Sequence, residues 1–283
     1  MATMMNSNKK TNLMGHEIGK LLALCAFAAM MSTFGPFALI APAALALAFI
    51  HFGKVKVLLL SSLLALGIYL IGGQSLNSLG SVGTFVYSCL IGLGIDRLIH
   101  RKIHPVKGVL YGGTFAYGLI CLLALIVFSA QDLSLRDLVG SQVNFFIDQL
   151  KASPDYEKVI SAGGEQAREL KDLVASPNLI IEQIINWVPS VLFVGIFFSL
   201  WASFYFVLRN SLAWRNKRKY PYGLLHLTFF KLPFWLVYFL IFGLVLALLG
   251  SSVEGLDFSV YGFNILYSLG ALYFFQGFGV VHD

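Results

Sequence analysis

Few side chains in this 283-residue sequence could do chemistry, and the most promising ones carry no charge. Asn264, Tyr267, Tyr273 and Gln276 fall within one apolar run near the end of the chain. At helical spacing Asn264 and Tyr267 share a face, and Gln276 lies about three turns beyond Asn264. A carboxamide in an apolar segment must find hydrogen-bond partners. These groups therefore either line a cavity for a neutral, weakly polar solute or join one helix to the next. His100 and His104 are four apart and could share a helix face as metal ligands, but they sit in a basic loop before Pro105 with no third ligand nearby. They read as solvated histidines, so no metal site is expected. Cys25, Cys89 and Cys121 all lie in apolar runs and read as small packing residues.

The motifs of common enzyme classes are missing. No Gly-x-x-x-x-Gly-Lys-Ser/Thr loop cradles a phosphate, and no His-Glu-x-x-His or Gly-x-Ser-x-Gly sequence occurs. No Asp, Glu, Lys, Arg or His stands near the middle of an apolar run, which disfavours a proton- or ion-driven carrier. The expectation is a protein that is not an enzyme and takes no cofactor.

The elements that position these residues must be membrane helices. With 58% apolar residues, 12% charged residues and a mean hydropathy of +0.78, the chain has too little polar surface to wrap a soluble core. A helix needs roughly 20 apolar residues to cross about 30 Å of hydrocarbon. Eight runs approach that length: 18–33, 37–50, 57–71, 76–95, 108–129, 187–208, 233–249 and 260–281. The second is short and carries Pro42, so it either spans or re-enters as a hairpin with the first. Lys9 and Lys10 could open a signal peptide, but apolar sequence continues without a cleavage site, so the first helix is expected to stay.

The charges between the runs set an orientation. Fifteen Lys and Arg, against Glu17, Asp96 and Asp283, fall in the terminal and loop tracts of one side, and the tract from Asp132 to Glu182 carries five basic residues against nine acids. By the positive-inside rule both termini are cytoplasmic and residues 131–186 are extracytoplasmic, in a bacterial inner membrane. The expected organisation is an all-α polytopic bundle. Residues 1–130 form an N-terminal membrane bundle of about five spans, 131–186 an amphipathic helical insert, and 187–283 a C-terminal bundle of about three.

In the insert, Ser134 and Asp137 form a capping box ahead of Leu138, Val139, Phe146, Ile147 and Leu150. Breaks follow at Pro154 and Gly163-Gly164, and a helix from Pro177 runs through Trp187 with a kink at Pro189. On the basic side, Arg215, Lys217, Arg218 and Lys219 with Trp214, Tyr220 and Tyr222 make an elbow suited to anionic lipid headgroups, and nucleic acid is not expected. Gly80, Thr84, Ser88 and Gly92 form one stripe of small residues, and Gly108, Gly112 and Ala116 another. Such stripes pack helices within the chain or dock a membrane-protein partner or second copy.

The segments Phe229-Phe230-Lys231-Leu232-Pro233-Phe234-Trp235, Asn264-Ile265-Leu266 and Leu272-Tyr273-Phe274-Phe275-Gln276-Gly277-Phe278-Gly279-Val280-Val281 resemble the YybS-like family of bacterial membrane proteins. The Gly35-Pro36 to Pro42 stretch and the Gly53 turn fit its opening helices. That family has no settled activity. Its general look is similar to the substrate-binding membrane subunits of energy-coupling-factor vitamin transporters, which have no motor of their own. The expected function is a non-enzymatic membrane subunit binding or passing a small, weakly polar solute. The alternative is a scaffold or assembly protein docking other membrane proteins.

Overall fold

The computed structural model describes residues 2–72, 76–131, 134–228, 230–250 and 257–280, with side chains except at 2–16, 36, 76–79, 130–131, 217 and 278–280. Asp132, Glu254 and Asp283 of the charge tracts lie outside the described residues, as do the side chains of Lys9 and Lys10. The fold is all-helical, and no strand occurs among the described residues. Over the described residues, each apolar run of the sequence lies on helix or, in the second and seventh, on helix preceded by a short turn.

The order is α1 (Ala2–Thr33), a 3-10 turn (Gly35–Leu39), α2 (Ala41–Phe52), α3 (Lys54–Gly72), α4 (Leu76–His100) and α5 (Pro105–Gln131). Next come α6 (Leu135–Lys151), α7 (Pro154–Ala162), α8 (Glu165–Ala175) and α9 (Pro177–Arg209). After a 3-10 turn at Ser211–Ala213 follow α10 (Arg215–Arg218), α11 (Leu225–Thr228), α12 (Leu236–Leu249) and α13 (Phe258–Val280). Among the described residues, five stretches are long and apolar enough to cross a membrane: Lys54–Gly72, Gly80–His100, Pro105–Ser129, Pro177–Arg209 and Phe258–Gly277. Phe37–Phe52 and Leu236–Leu249 are apolar but shorter.

The chain forms two compact units. One comprises Met1–Ala116, Gly195–Leu232 and Leu272–Asp283. Its core is α2, buried from Ala41 to Leu45 and again at Phe49 and Ile50, against Leu21, Cys25 and Ala28 of α1, Val57 of α3 and Phe85 of α4. Pro42 sits in the first turn of α2, where its missing N–H costs no hydrogen bond, so the run does not break there. Gly53 ends α2 at φ +86°, ψ 161°, a conformation favouring glycine, and lets α3 start at once. At about 1.5 Å per residue α2 is only about 18 Å long. It is shorter than the hydrocarbon is thick, so its terminal carbonyls depend on protein partners.

The other unit comprises Tyr117–Val194 and Pro233–Ala271. The capping box is present: Ser134 Oγ accepts from the Asp137 amide at 3.0 Å, and the Asp137 carboxylate accepts from the Ser134 amide at 3.2 Å. The Ser134 hydroxyl, which also donates to this carboxylate, and then the Ser134 amide hold the Asp137 carboxyl below the usual carboxylate range. Val143 and Ile147 of α6 and Ile181 of α9 form a small apolar core of their own. Helices α12 and α13 approach most closely at two glycines: a methyl group on Gly262 would stand 2.3 Å from the Ala247 amide nitrogen, and one on Gly243 2.8 Å from the Ile265 side chain.

Backbone cannot give way as a side-chain tip can, so Gly262→Ala is expected to destabilise the detergent-solubilised protein by about 1–3 kcal/mol through overpacking. Gly118→Ala, which meets nothing within 4 Å, serves as the control. Thermal melting of the two variants checks this, with a lower Tm expected only for Gly262→Ala.

Candidate functional site

The helix breaks that a bilayer makes costly are where the polar side chains gather. Thr84 Oγ1 donates to the Ser32 carbonyl at the end of α1, at 2.8 Å, and Ser199 Oγ donates to the Leu39 carbonyl at the end of the first 3-10 turn, at 2.9 Å. Arg218 Nη2 donates to the Ile50 carbonyl at the end of α2, at 2.7 Å, and Tyr220 Oη to the Ile103 carbonyl beyond α4, at 2.8 Å. Trp214 Nε1 donates to the Val207 carbonyl in the last turn of α9, at 3.1 Å. Each acceptor is a carbonyl with no intrahelical donor or near a helix end.

Arg218 also carries the one buried charge pair among the described residues. Asp96, in the last turns of α4, is only 2% exposed, and its carboxylate lies 3.4 Å from Arg218 Nη2 and 3.7 Å from Lys54 Nζ at the start of α3. Arg218 Nε is buried without a hydrogen-bond partner. A carboxylate in this position needs a counter-charge, and Arg218 supplies it from a segment that Trp214 and Tyr220, both almost fully buried, wedge against the unit.

The two proposed ligand amides are engaged by backbone. Pro189 has no N–H and opens the hydrogen-bond ladder of α9. Asn264 closes the gap: its Oδ1 accepts from the Ser190 amide at 3.0 Å, and its Nδ2 donates to the Asn186 carbonyl at 2.7 Å and to the Val260 carbonyl at 2.9 Å. Asn186 and Ser190 would bond each other in an unbroken helix, so the carboxamide stands in for one peptide bond pair. Gln276 acts similarly, with Oε1 accepting from the Leu232 amide just before Pro233, at 3.2 Å. Tyr267 packs its ring on Trp187 at 4.5 Å, and Tyr273 is half-buried. Asn264 and Tyr267 belong to one unit, Tyr273 and Gln276 to the other.

The small-residue stripes face neighbours within their unit. A methyl on Gly92 would stand 3.0 Å from Ala46 N and Leu45 Cβ; Ser88 is fully buried; and Gly108 and Gly112 lie against Leu98 with Phe204 and Leu200 of α9. Gly80 has nothing within 4 Å of that position. Gly113, which no stripe included, is tighter still, 2.7 Å from the Phe197 ring.

Among the elbow cations, Arg215 donates to the Tyr220 and Pro221 carbonyls at 3.2 and 3.1 Å, and Arg218 turns inward as described. Lys219 is exposed in the left-handed conformation that ends α10; the Lys217 side chain lies outside the described part. Beside the elbow, the His104, Tyr222 and His226 rings pack edge to face, with centroids 4.8 Å apart for His104–Tyr222 and 5.3 Å for Tyr222–His226. His226 Nδ1 accepts from the Gly223 amide at 3.2 Å, which requires the unprotonated nitrogen. His100 is exposed, but His104 is a packed ring rather than a solvated one. Desolvation, then His226 and Lys107, push its pKa below the ordinary value. Burial and then Tyr222 push the Tyr220 phenol up. No group of three or more His, Cys, Asp and Glu suited to a metal occurs among the described residues, and all three cysteines are free.

The family of the chain follows from residues 21–282, which match the model of a family described as predicted membrane protein (DUF2232); the chain belongs to that family and is a membrane protein. No curated protein and no solved structure matches it significantly.

Arg218→Met leaves the buried Asp96 carboxylate with only half-exposed Lys54 beside it and is expected to cost about 3–5 kcal/mol, whereas Asp96→Ala combined with Arg218→Met should recover much of the loss. Lys54→Ala, removing a half-exposed partner, should cost under about 1 kcal/mol. Denaturant unfolding of the single and double variants measures the coupling.

The lowered His104 pKa sets a sign. An unfolded histidine takes up a proton near its ordinary pKa of 6.5 while the packed ring resists it, so stability is full above that pH and falls as pH drops towards the lower folded value. Wild-type Tm should decline on acidification through this window, and His104→Asn should flatten the decline; scanning fluorimetry across pH reads both.

Proposed function

We propose that this family member is a non-enzymatic inner-membrane subunit that acts by docking other membrane proteins, the scaffold reading of the two drawn from the sequence. Eight spans, cytoplasmic termini and an extracytoplasmic insert over 131–186 complete the proposal. The charge sorting of the loops supports that topology.

The single observation that carries the choice is the engagement of Asn264. Two of its three bonds bridge the backbone gap at Pro189, the third reaches the Val260 carbonyl one turn back on its own helix, and Gln276 caps a backbone amide, so the residues most suited to a polar solute hold the protein's own helices. A solute site would need amides with bonding capacity facing open space.

A solute-binding role keeps one feature in its favour. An open groove of about 500 Å³ runs along α8 and the start of α9, lined by Asp172, Leu173, Ser176, Leu179, Glu182 and Asn186 among others. Its lining residues all belong to the insert, so any ligand there would be taken from outside the bilayer core.

Purification of the tagged chain from its native membrane in mild detergent, with mass spectrometry of everything retained, separates the readings. Docking predicts one or a few membrane proteins at fixed stoichiometry and no small molecule. A lone chain carrying a tightly held organic solute reverses the assignment.

A further inference from the structure

We infer that α6 lies along the membrane surface where α5 ends, with Leu138, Phe145 and Phe146 set among the lipid headgroups and upper acyl chains. This concerns the leaflet at which α5 ends and is independent of the docking role.

The observation is a three-way division of the helix surface. With successive residues about 100° apart around the axis, Val139, Gly140, Val143 and Ile147 form the face turned into the small core. From about 80° to 140° on one side of Val143 come Lys151, Asn144, Asp137 and Asp148, which hold every charge on α6 apart from Arg136. Arg136 lies towards the core side and is paired to Glu182 at 3.1 Å.

On the opposite side, from about 60° to 160°, come Leu135, Leu138, Gln142, Phe145, Phe146 and Gln149. This sector holds no charge, yet Leu138 is 38%, Phe145 57% and Phe146 63% exposed. A helix in water has no reason to place two adjacent phenylalanines on a charge-free outer face while moving its acids to the far side; an interfacial helix does.

The tether names the occupant. Helix α5 has 27 residues, about 40 Å at helical rise, enough to cross the hydrocarbon, and contains the candidate span Pro105–Ser129. Three residues separate Gln131 from Leu135, and they reach only about 10 Å. The capping box then starts α6 at once. Its first turn is therefore held at the membrane boundary, where lipid is present at every moment and a protein partner must be recruited. The buried layer in such helices is about 5–10 Å deep, which suits a phenylalanine ring and not a carboxylate.

Photocrosslinking tests this in intact membranes. Benzoylphenylalanine replaces Phe145 or Phe146, with the exposed Asn144 in the charged sector as the negative control and the exposed Leu122 of α5 as the positive one. After irradiation, mass spectrometry is expected to find phospholipid adducts at 145 and 146 at a level comparable with 122, several-fold above 144. Protein adducts at 145 and 146, whether to a second copy or to another chain, overturn the inference. So does lipid adduct at 122 with none at 145 and 146.

Discussion

Hydrocarbon offers no hydrogen bonds, so each peptide group near it must be satisfied by the chain itself. An unbroken helix meets this demand alone, but this chain ends its helices after Thr33, at Ile40, at Gly53, after His100 and around Pro233, and opens the ladder of α9 at Pro189. The bonds that answer those places come from Thr84, Ser199, Arg218, Tyr220, Asn264 and Gln276, so these polar side chains act on backbone. The short buried α2 is possible only because Arg218 terminates it from another part of the chain. The same demand explains why both amides bond to backbone.

Measured interhelical hydrogen bonds in membranes average about 0.6 kcal/mol, so none of these contacts dominates stability alone. Their weight is in specificity, because an unmade one leaves a buried carbonyl or amide without water. Dispersion adds to this wherever glycine admits a neighbour, at Gly92, Gly113, Gly243 and Gly262. The charged pair of Asp96 and Arg218 differs in kind: its net value is modest, but separating its members is costly. That asymmetry makes it a lock rather than a glue.

Local features were legible in the sequence and distant ones were not. Apolar length located the runs that lie on helices, and Ser134 with Asp137 marked the start of α6 because the capping box is complete within four residues. Pro189 announced a gap in α9, but nothing near it named Asn264, 75 positions later, as the group that fills it. Gly92 and Gly112 declared close packing without saying against what. Asp96 was hidden by its surroundings: among Arg97, Arg101 and Lys102 it read as one acid in a basic loop, and its partner Arg218 read as a headgroup contact. Side-chain direction, which periodicity cannot supply at a short turn between helices, decided both.

The separation of Asp96 from Arg218 has a consequence for biogenesis. The two are 122 residues apart, and the Ile50 carbonyl that Arg218 also binds is 168 away. At roughly 5–20 residues per second, a ribosome takes about 6–24 s to reach the arginine after making the aspartate. Throughout that interval the growing chain holds α2 uncapped and a carboxylate matched only by half-exposed Lys54. Termination of α2 is thus timed by the arrival of the elbow, the rest of the first unit following only with Leu272–Asp283, and a chain truncated before residue 218 leaves the Ile50 carbonyl without this donor.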